Sequence, residues 1–292
     1  MTMNAPAIVC AGEALWDVLP RGEFMGGAPF NVACHLARLG ARARLLARLG
    51  RDERGERALA LARANGVDVS LVQLDPVLAT GEARAVLDAT GSARYEFLTP
   101  AAWDAIEATP EALAAVAEAD AFVHGTLGCR DARSRAAIAR LAAAARWRAF
   151  DPNLRPPFYS RELVEEGLQG AQFVKLNDDE CALLAGWYGV APVPAALQPE
   201  LARRFAIGAL CVTLGPEGAQ LHWQGRWHAQ PGIPTEVADT VGAGDSFLAM
   251  LLRELLAGTA PDVALLRAAR LASFVASRPG AVPDYDAAGF RD

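Results

Sequence analysis

The chain has 292 residues, 52% of them apolar, and a formal net charge of −6. That length suits one large α/β domain or a domain with a small appendage, and the acidic balance excludes a polybasic face for nucleic acid or a membrane surface. Five isolated cysteines (Cys10, Cys34, Cys129, Cys181, Cys211), no apolar run of bilayer length and no leader-like first ten residues predict a soluble, cytoplasmic protein with reduced thiols.

Short apolar runs alternate with Ala-rich stretches along the chain. Strands are expected at 7–12, 43–50, 120–125, 148–153, 172–177 and 210–215, and helices at 31–40, 52–66, 109–119 and 130–145. Such alternation predicts a doubly wound α/β fold, a mostly parallel sheet with helices on both faces. Two segments, 13–24 and 82–98, alternate instead like antiparallel strands, the second around a "DATGSAR" turn. They predict a small antiparallel β lid inserted at about 13–25 and 82–99 of a single domain spanning 1–292. "GWYGVAPVPAALQPE" (186–200) reads as an exposed excursion, the Arg-dense stretch 38–57 as a solvated surface, and His222 and His228 as surface strand residues.

Ligands of open parallel sheets bind beyond the carboxyl ends of the strands, and polar clusters fall at several of the expected ends. Strand 7–12 runs into Glu13 and Asp17, 148–153 into "DPNLR", 172–177 into "NDDE" and 210–215 into "TLGPEG". The last cluster is "DTVGAGDSF" (239–247), where Gly242, Ala243 and Gly244 precede an apolar helix. Backbone N–H groups and the positive end of the helix dipole converge there, as an anion in flight requires. Asp245 follows as the carboxylate to accept a proton from an attacking hydroxyl, at an ordinary carboxylate pKa of about 3.9. The assembly points to phosphoryl transfer onto a polyhydroxy acceptor. No G-x-x-x-x-G-K-[ST] is present, which excludes a P-loop as the source of that activity, and a G-x-G-x-x-G after the first strand is missing too.

Three motifs then carry a family likeness. "GGAPFNVACHLARLG" (26–40), "NDDE" (177–180) and "DTVGAGDSF", in that order, resemble the signatures of the ribokinase-like (PfkB) sugar kinases, a likeness that runs from Ile8 to Pro283. The resemblance implies Asp245 as the base and the amides of Gly242, Ala243 and Gly244 as the anion hole. It implies Asp17, Gly27 and Asn31 as sugar ligands. Asn177 would stand beside phosphate and Glu180 beside Mg²⁺ through water, while Thr213, Gly215 and Gly218 would line ATP. Asp239 resembles a monovalent-cation (K⁺) position. The residues themselves add Asn153 and Arg155 as sugar or phosphate contacts and Tyr95 and Phe97 on one lid strand facing substrate. Lys175, the one lysine among 28 basic residues, is placed for phosphate, and Trp103 for packing.

"GEALWDVLP", "GGAPFNVA" and "DPNLRPPFY" look most like bacterial fructokinases, which implies D-fructose as the sugar. A 2-keto-3-deoxygluconate kinase or ribokinase on the same fold, or a catalytically silent sugar-binding regulator, are the other readings. The lid strands lead to an expected homodimer, as such lids pair in family members, with no nucleic-acid or membrane partner.

Overall fold

The computed structural model of the chain describes residues 5–19, 22–87 and 93–290, and the side chains at 85–87 and 93–95 are not among those described. The strands are β1 (Ala7–Ala11), β2 (Leu15–Leu19), β3 (Gly22–Gly26), β4 (Arg42–Leu46), β5 (Arg48–Gly50), β6 (Gln73–Asp75), β7 (Gly81–Leu87), β8 (Ala93–Phe97), β9 (Ala121–His124), β10 (Arg148–Phe150), β11 (Phe173–Asn177), β12 (Ala209–Thr213), β13 (Gly218–Trp223) and β14 (Arg226–Pro231). The helices are α1 (Ala28–Arg38), α2 (Glu53–Ala64), α3 (Pro110–Glu118), α4 (Ala132–Ala144), α5 (Arg161–Leu168), α6 (Asp178–Tyr188), α7 (Pro194–Phe205), α8 (Ala243–Leu256) and α9 (Pro261–Ala276).

Eight strands form one sheet in the order β14-β13-β12-β11-β10-β9-β1-β4. From β12 to β4 every pairing is parallel, and the β13–β14 hairpin adds an antiparallel edge. Because successive strand residues point to opposite faces, β1 feeds two cores at once. Ile8 and Cys10 pack with Phe30, Leu248 and Leu271 of α1, α8 and α9, whereas Val9 and Ala11 pack with Val116 and Ile138 of α3 and α4. A third core joins Val174 and Leu176 to Leu184, Leu197 and Leu201 of α6 and α7. β1 has β4 on one side and β9 on the other, so strand order reverses there, and the crevice beyond these strand ends is the natural ligand site.

The second sheet runs β3-β2-β7-β8. Both expected hairpins are present as antiparallel outer pairs, but the inner pair, β2 with β7, is parallel. The long connection through α1, β4 and α2 makes that possible, since parallel neighbours need a crossover. Part of the "DATGSAR" turn, residues 88–92, lies outside the described residues.

Three expectations change. The strand placed at 43–50 is two strands, because the chain leaves the large sheet after Leu46 and β5 pairs with β6 instead. The stretch 186–200 is no excursion: Gly189 closes α6 in a left-handed conformation (φ 69°), and Pro194 opens α7 in the first turn, where its missing N–H costs nothing. The Arg-dense stretch is only partly solvated, as Arg48 bonds Asp75 at 2.8 Å and Arg54 bridges Glu23 and Glu82. The other surroundings fit. All five cysteines are buried and free, and His222 and His228 lie on the β13–β14 hairpin. No helix among the described residues is long and apolar enough to cross a membrane.

Trp103 is wholly buried, with the Arg130 guanidinium 4.4 Å from its ring centroid and Arg130 itself held by Asp104 at 2.8 Å. A Cβ on Gly81 at the start of β7 would lie 1.9 Å from Cζ3 of that ring. Overfilling a packed core by one methyl costs about 1–3 kcal/mol. Gly81→Ala should therefore lower stability by about 3 kcal/mol, read as a fall in the urea midpoint at unchanged slope.

Candidate active site

The site begins with two glycines. A Cβ on Gly26 would stand 2.5 Å from Asp17 Oδ2, and one on Gly27 2.5 Å from the Glu13 carbonyl. Gly27, at φ 102°, caps α1, and Pro29 occupies its first turn. The helix therefore starts at Ala28, earlier than the expected 31, and Asn31 lies one turn inside it. The buried Asn31 donates from Nδ2 to Asp245 Oδ2 at 2.8 Å, while its Oδ1 is buried without a partner. Glu13 is buried beside it, and its Oε1 accepts the Ala28 N–H at 3.2 Å.

Gly242 takes φ 77° as N-cap of α8, which puts Ala243 and Gly244 in the first turn and Asp245 at the third helical position. First-turn N–H groups have no acceptor within their helix. The Ala243 N–H donates to the Thr240 carbonyl at 3.3 Å. Asp239 prepares this turn, its Oδ1 accepting the Val241 N–H at 3.0 Å.

From the other side β11 brings Lys175, 95% buried, with Nζ 2.9 Å from Asp151 Oδ2 at the end of β10. That Nζ would also lie 3.5 Å from a Cβ on Gly244, so the lone lysine sits beside the α8 turn. Asp151 of "DPNLR" pairs with Lys175 because each is the next residue after the Phe150–Val174 pair of the adjacent parallel strands β10 and β11, a juxtaposition that sequence spacing does not reveal. Asp151 Oδ1 is buried and unpartnered. Asn177 and Glu180 form a reciprocal cap on α6: Asn177 Oδ1 accepts the Glu180 N–H at 2.8 Å and Glu180 Oε2 accepts the Asn177 N–H at 2.9 Å. Glu180 Oε1 takes the Leu154 N–H at 2.8 Å, tying the "DPNLR" loop to α6. Thr213 is the register partner of Asn177 on β12. Gly215 is exposed at φ 54°, and Gly218 admits the Gln230 carbonyl, which would stand 2.0 Å from a Cβ there.

A crevice at the strand-order switch is lined by Glu13, His124, Thr126, Asp151, Asn153 and Leu248. Asn153 reaches it through a left-handed backbone, φ 43°. Arg155 is exposed, its Nη1 donating to the Leu154 carbonyl at 3.1 Å. Phe97 packs edge-on to Phe158 with centroids 5.4 Å apart, and Phe158 in turn lies against the Arg130 guanidinium that covers Trp103. The side chain of Tyr95 lies outside the described residues.

Carboxylates crowd the site. Burial pushes Asp245 up to about 6, and Asp151 adds to the rise while the Asn31 bond, Lys175 and Arg155 oppose it. The ordinary value expected for Asp245 is thus corrected by desolvation. Burial raises Glu13 to about 7 and Asp17 to about 6, with Arg155 pulling each back. Lys175 moves the other way from what burial dictates: the carboxylates of Asp151, Glu180 and Asp245 outweigh desolvation and keep it firmly charged. The arrangement offers many hydroxyl acceptors, two cations and the N-terminal turn of α8. Its chemistry is that of holding a polyol against an anion.

Comparison with known proteins fits this geometry. The model of the family described as "pfkB family carbohydrate kinase" matches residues 12–288. A fructokinase of Klebsiella pneumoniae is 32% identical over 281 aligned residues, covering 87% of this chain and 88% of that one. A Vibrio cholerae fructokinase, solved in a "fructose, ADP and calcium ion bound form", superposes with a TM-score of 0.81 at 25% identity, covering 98% and 99% of the two chains. An ATP-bound Xylella fastidiosa fructokinase superposes with a TM-score of 0.85 at 23% identity and 97% coverage of both. With the family model matching from residue 12 to 288, the chain belongs to the pfkB family of carbohydrate kinases.

Proposed function

We propose that the protein is a fructokinase, transferring the γ-phosphoryl group of ATP to D-fructose to give fructose 6-phosphate. The observation that carries the reading is the buried Asp245 carboxylate, held by Asn31 in the first turn of α8 with Lys175 alongside. Asn31 occupies Oδ2, so Oδ1 is the oxygen for the attacking hydroxyl. Near 6, Asp245 is ionised at neutral pH yet a better-matched proton acceptor than an exposed aspartate. The α8 amides and Lys175 bear the charge of the phosphoryl group as it moves. Asp17, Gly27, Asn31 and Asn153 grip the sugar, with the orphaned Asn31 Oδ1 accepting one of its hydroxyls.

Arg155, exposed at the rim, closes on sugar or phosphate, and Tyr95 completes the lid side. Asn177, Thr213, Gly215 and Gly218 line the nucleotide. Mg²⁺ arriving on the nucleotide supplies neutralisation of the phosphates; Glu180, through water, and the unpartnered Asp151 Oδ1 fit that hard cation. A monovalent cation at Asp239 would steady the turn that this carboxylate already ties to Val241. The names of the Klebsiella and Vibrio relatives support fructose. So does the charge: the site cations named here, Lys175 and Arg155, already face carboxylates, which suits a neutral sugar better than a sugar acid. The outer strands β3 and β8 are the edges of the second sheet, and edges invite pairing with another copy. Homodimerisation through this sheet follows.

ADP release with ATP and Mg²⁺ should be strong on D-fructose and weak on 2-keto-3-deoxygluconate, D-ribose and adenosine. Turnover on another of the four would overturn the sugar assignment, and silence on all would favour a binding protein. Asp245→Asn should lose about 10²–10⁴-fold in kcat while still binding fructose, and wild-type kcat/KM should fall as pH drops through about 6. The same group predicts a stability effect. Its folded pKa lies above the unfolded one, so between the two the folded state holds the extra proton, and stability falls as pH rises through that window. At pH 8 Asp245→Asn should therefore be more stable than wild type by about 1–3 kcal/mol, seen as a higher urea midpoint, with the gain vanishing near pH 4. Sedimentation velocity at micromolar concentration should give a dimer; a monomer throughout removes the pairing.

A further inference from the structure

We infer that His35 is a positioning residue for phosphoryl transfer, a buried strut that holds the C-terminal segment against the back of the anion-binding turn at Gly242. The inference rests on the kinase reading above and concerns a residue outside the substrate contacts.

Asn31, His35 and Arg38 stand at i, i+4 and i+7 on α1, one stripe of the helix. Asn31 reaches Asp245. One turn on, His35 is completely buried, with Nε2 2.9 Å from the Ala281 carbonyl and Nδ1 2.8 Å from the Tyr285 hydroxyl. A carbonyl only accepts, so Nε2 carries the proton and Nδ1 accepts from Tyr285. Burial keeps the ring neutral, its pKa pulled down to about 4, so this tautomer persists through the working pH range. Two turns beyond Asn31, Arg38 donates to the Pro283 carbonyl and to Asp284, each at 2.7 Å. Tyr285 is stacked on His35 and edge-on to Phe274 and Phe290, which closes the segment down on α1 and α9.

The segment so held is the one Gly242 leans on. A Cβ on Gly242 would meet the Ala281 oxygen at 2.5 Å and its Cα at 2.6 Å. The carbonyl that His35 grips is therefore the wall that fixes the N-cap of α8. That cap sets the direction of the Ala243 and Gly244 amides. Losing the grip lets Ala281 retreat and the turn relax, so the amides point less well at the phosphoryl group while the sugar ligands on β2 and early α1 stay in place. Misplacement on the ångström scale costs up to about 10²-fold in rate.

The test compares His35→Leu, His35→Gln and Tyr285→Phe in the full-length protein. Readouts are kcat per folded molecule, KM for fructose, fructose affinity by calorimetry and thermal stability. His35→Leu should lower kcat about 10- to 100-fold with KM and fructose affinity within about twofold. Glutamine, whose amide N–H can reach the same carbonyl, should recover most of the rate, and Tyr285→Phe should lose several-fold. A His35→Leu enzyme with wild-type kcat, a parallel loss of fructose affinity, or a glutamine variant no better than leucine would each overturn the inference. Should the leucine variant fail to fold, Tyr285→Phe decides: a reduced kcat at unchanged fructose affinity supports the strut and an unchanged kcat removes it. Failure of the kinase reading is distinct, since it shows as a wild-type protein silent on every sugar.

Discussion

The hydrogen bond from Asn31 to Asp245 joins residues 214 positions apart, and the site is arranged around it. It requires α1 to begin early enough for residue 31 to lie one turn inside, which the cap at Gly27 and Pro29 ensures. It also requires α8 to begin at Gly242, whose left-handed backbone turns the chain under Ala281. Burying a carboxylate is costly unless it is hydrogen-bonded, and the Asn31 amide is the compensation. What remains uncompensated raises the pKa of Asp245, which is the property a proton acceptor for an alcohol needs.

The same logic runs through the rest of the crevice. Glu13, Asp17, Asp151, Glu180 and Asp245 face Lys175 and Arg155, so carboxylates outnumber cations. A folded protein gains no stability from burying such carboxylates, and the raised pKa values of Glu13, Asp17 and Asp245 record the cost of desolvation, to which neighbouring carboxylates add. The acceptors instead match a ligand rich in hydroxyl donors. Glu180 shows how economy is reached: both oxygens hold backbone amides, one closing α6 and one securing the "DPNLR" loop. A carboxylate committed in this way meets a metal ion more naturally through water than directly. Removing this one side chain would therefore loosen the α6 cap and the "DPNLR" loop together.

Much of this was legible beforehand where the physics is local. Strand–helix alternation predicted the layered sheet, and the hairpin segments predicted the second sheet, because periods of two and 3.6 residues show within a short window. The glycine turns showed because Gly27 and Gly242 each combine a positive φ with a close backbone approach that a side chain would block. Boundaries were less legible. Pro and Gly in 186–200 suggested a loop, yet they are the stop of α6 and the start of α7, and only packing of Leu197 and Leu201 distinguishes the two. The split after Leu46 likewise depends on β6, a partner distant in the chain. Phe97 looked free to face a ligand until Phe158 came against it.

By itself, the sequence determined the fold class, the family and the identity of the polar groups at the strand ends, since these depend on residue type, order and spacing. Tertiary structure alone decided which groups meet. It paired Lys175 with Asp151, set His35 between Tyr285 and Ala281, and raised Asp245 by burying it. The physical reason is that desolvation and hydrogen bonding are properties of surroundings, and those surroundings are assembled from segments 24 to 250 residues apart.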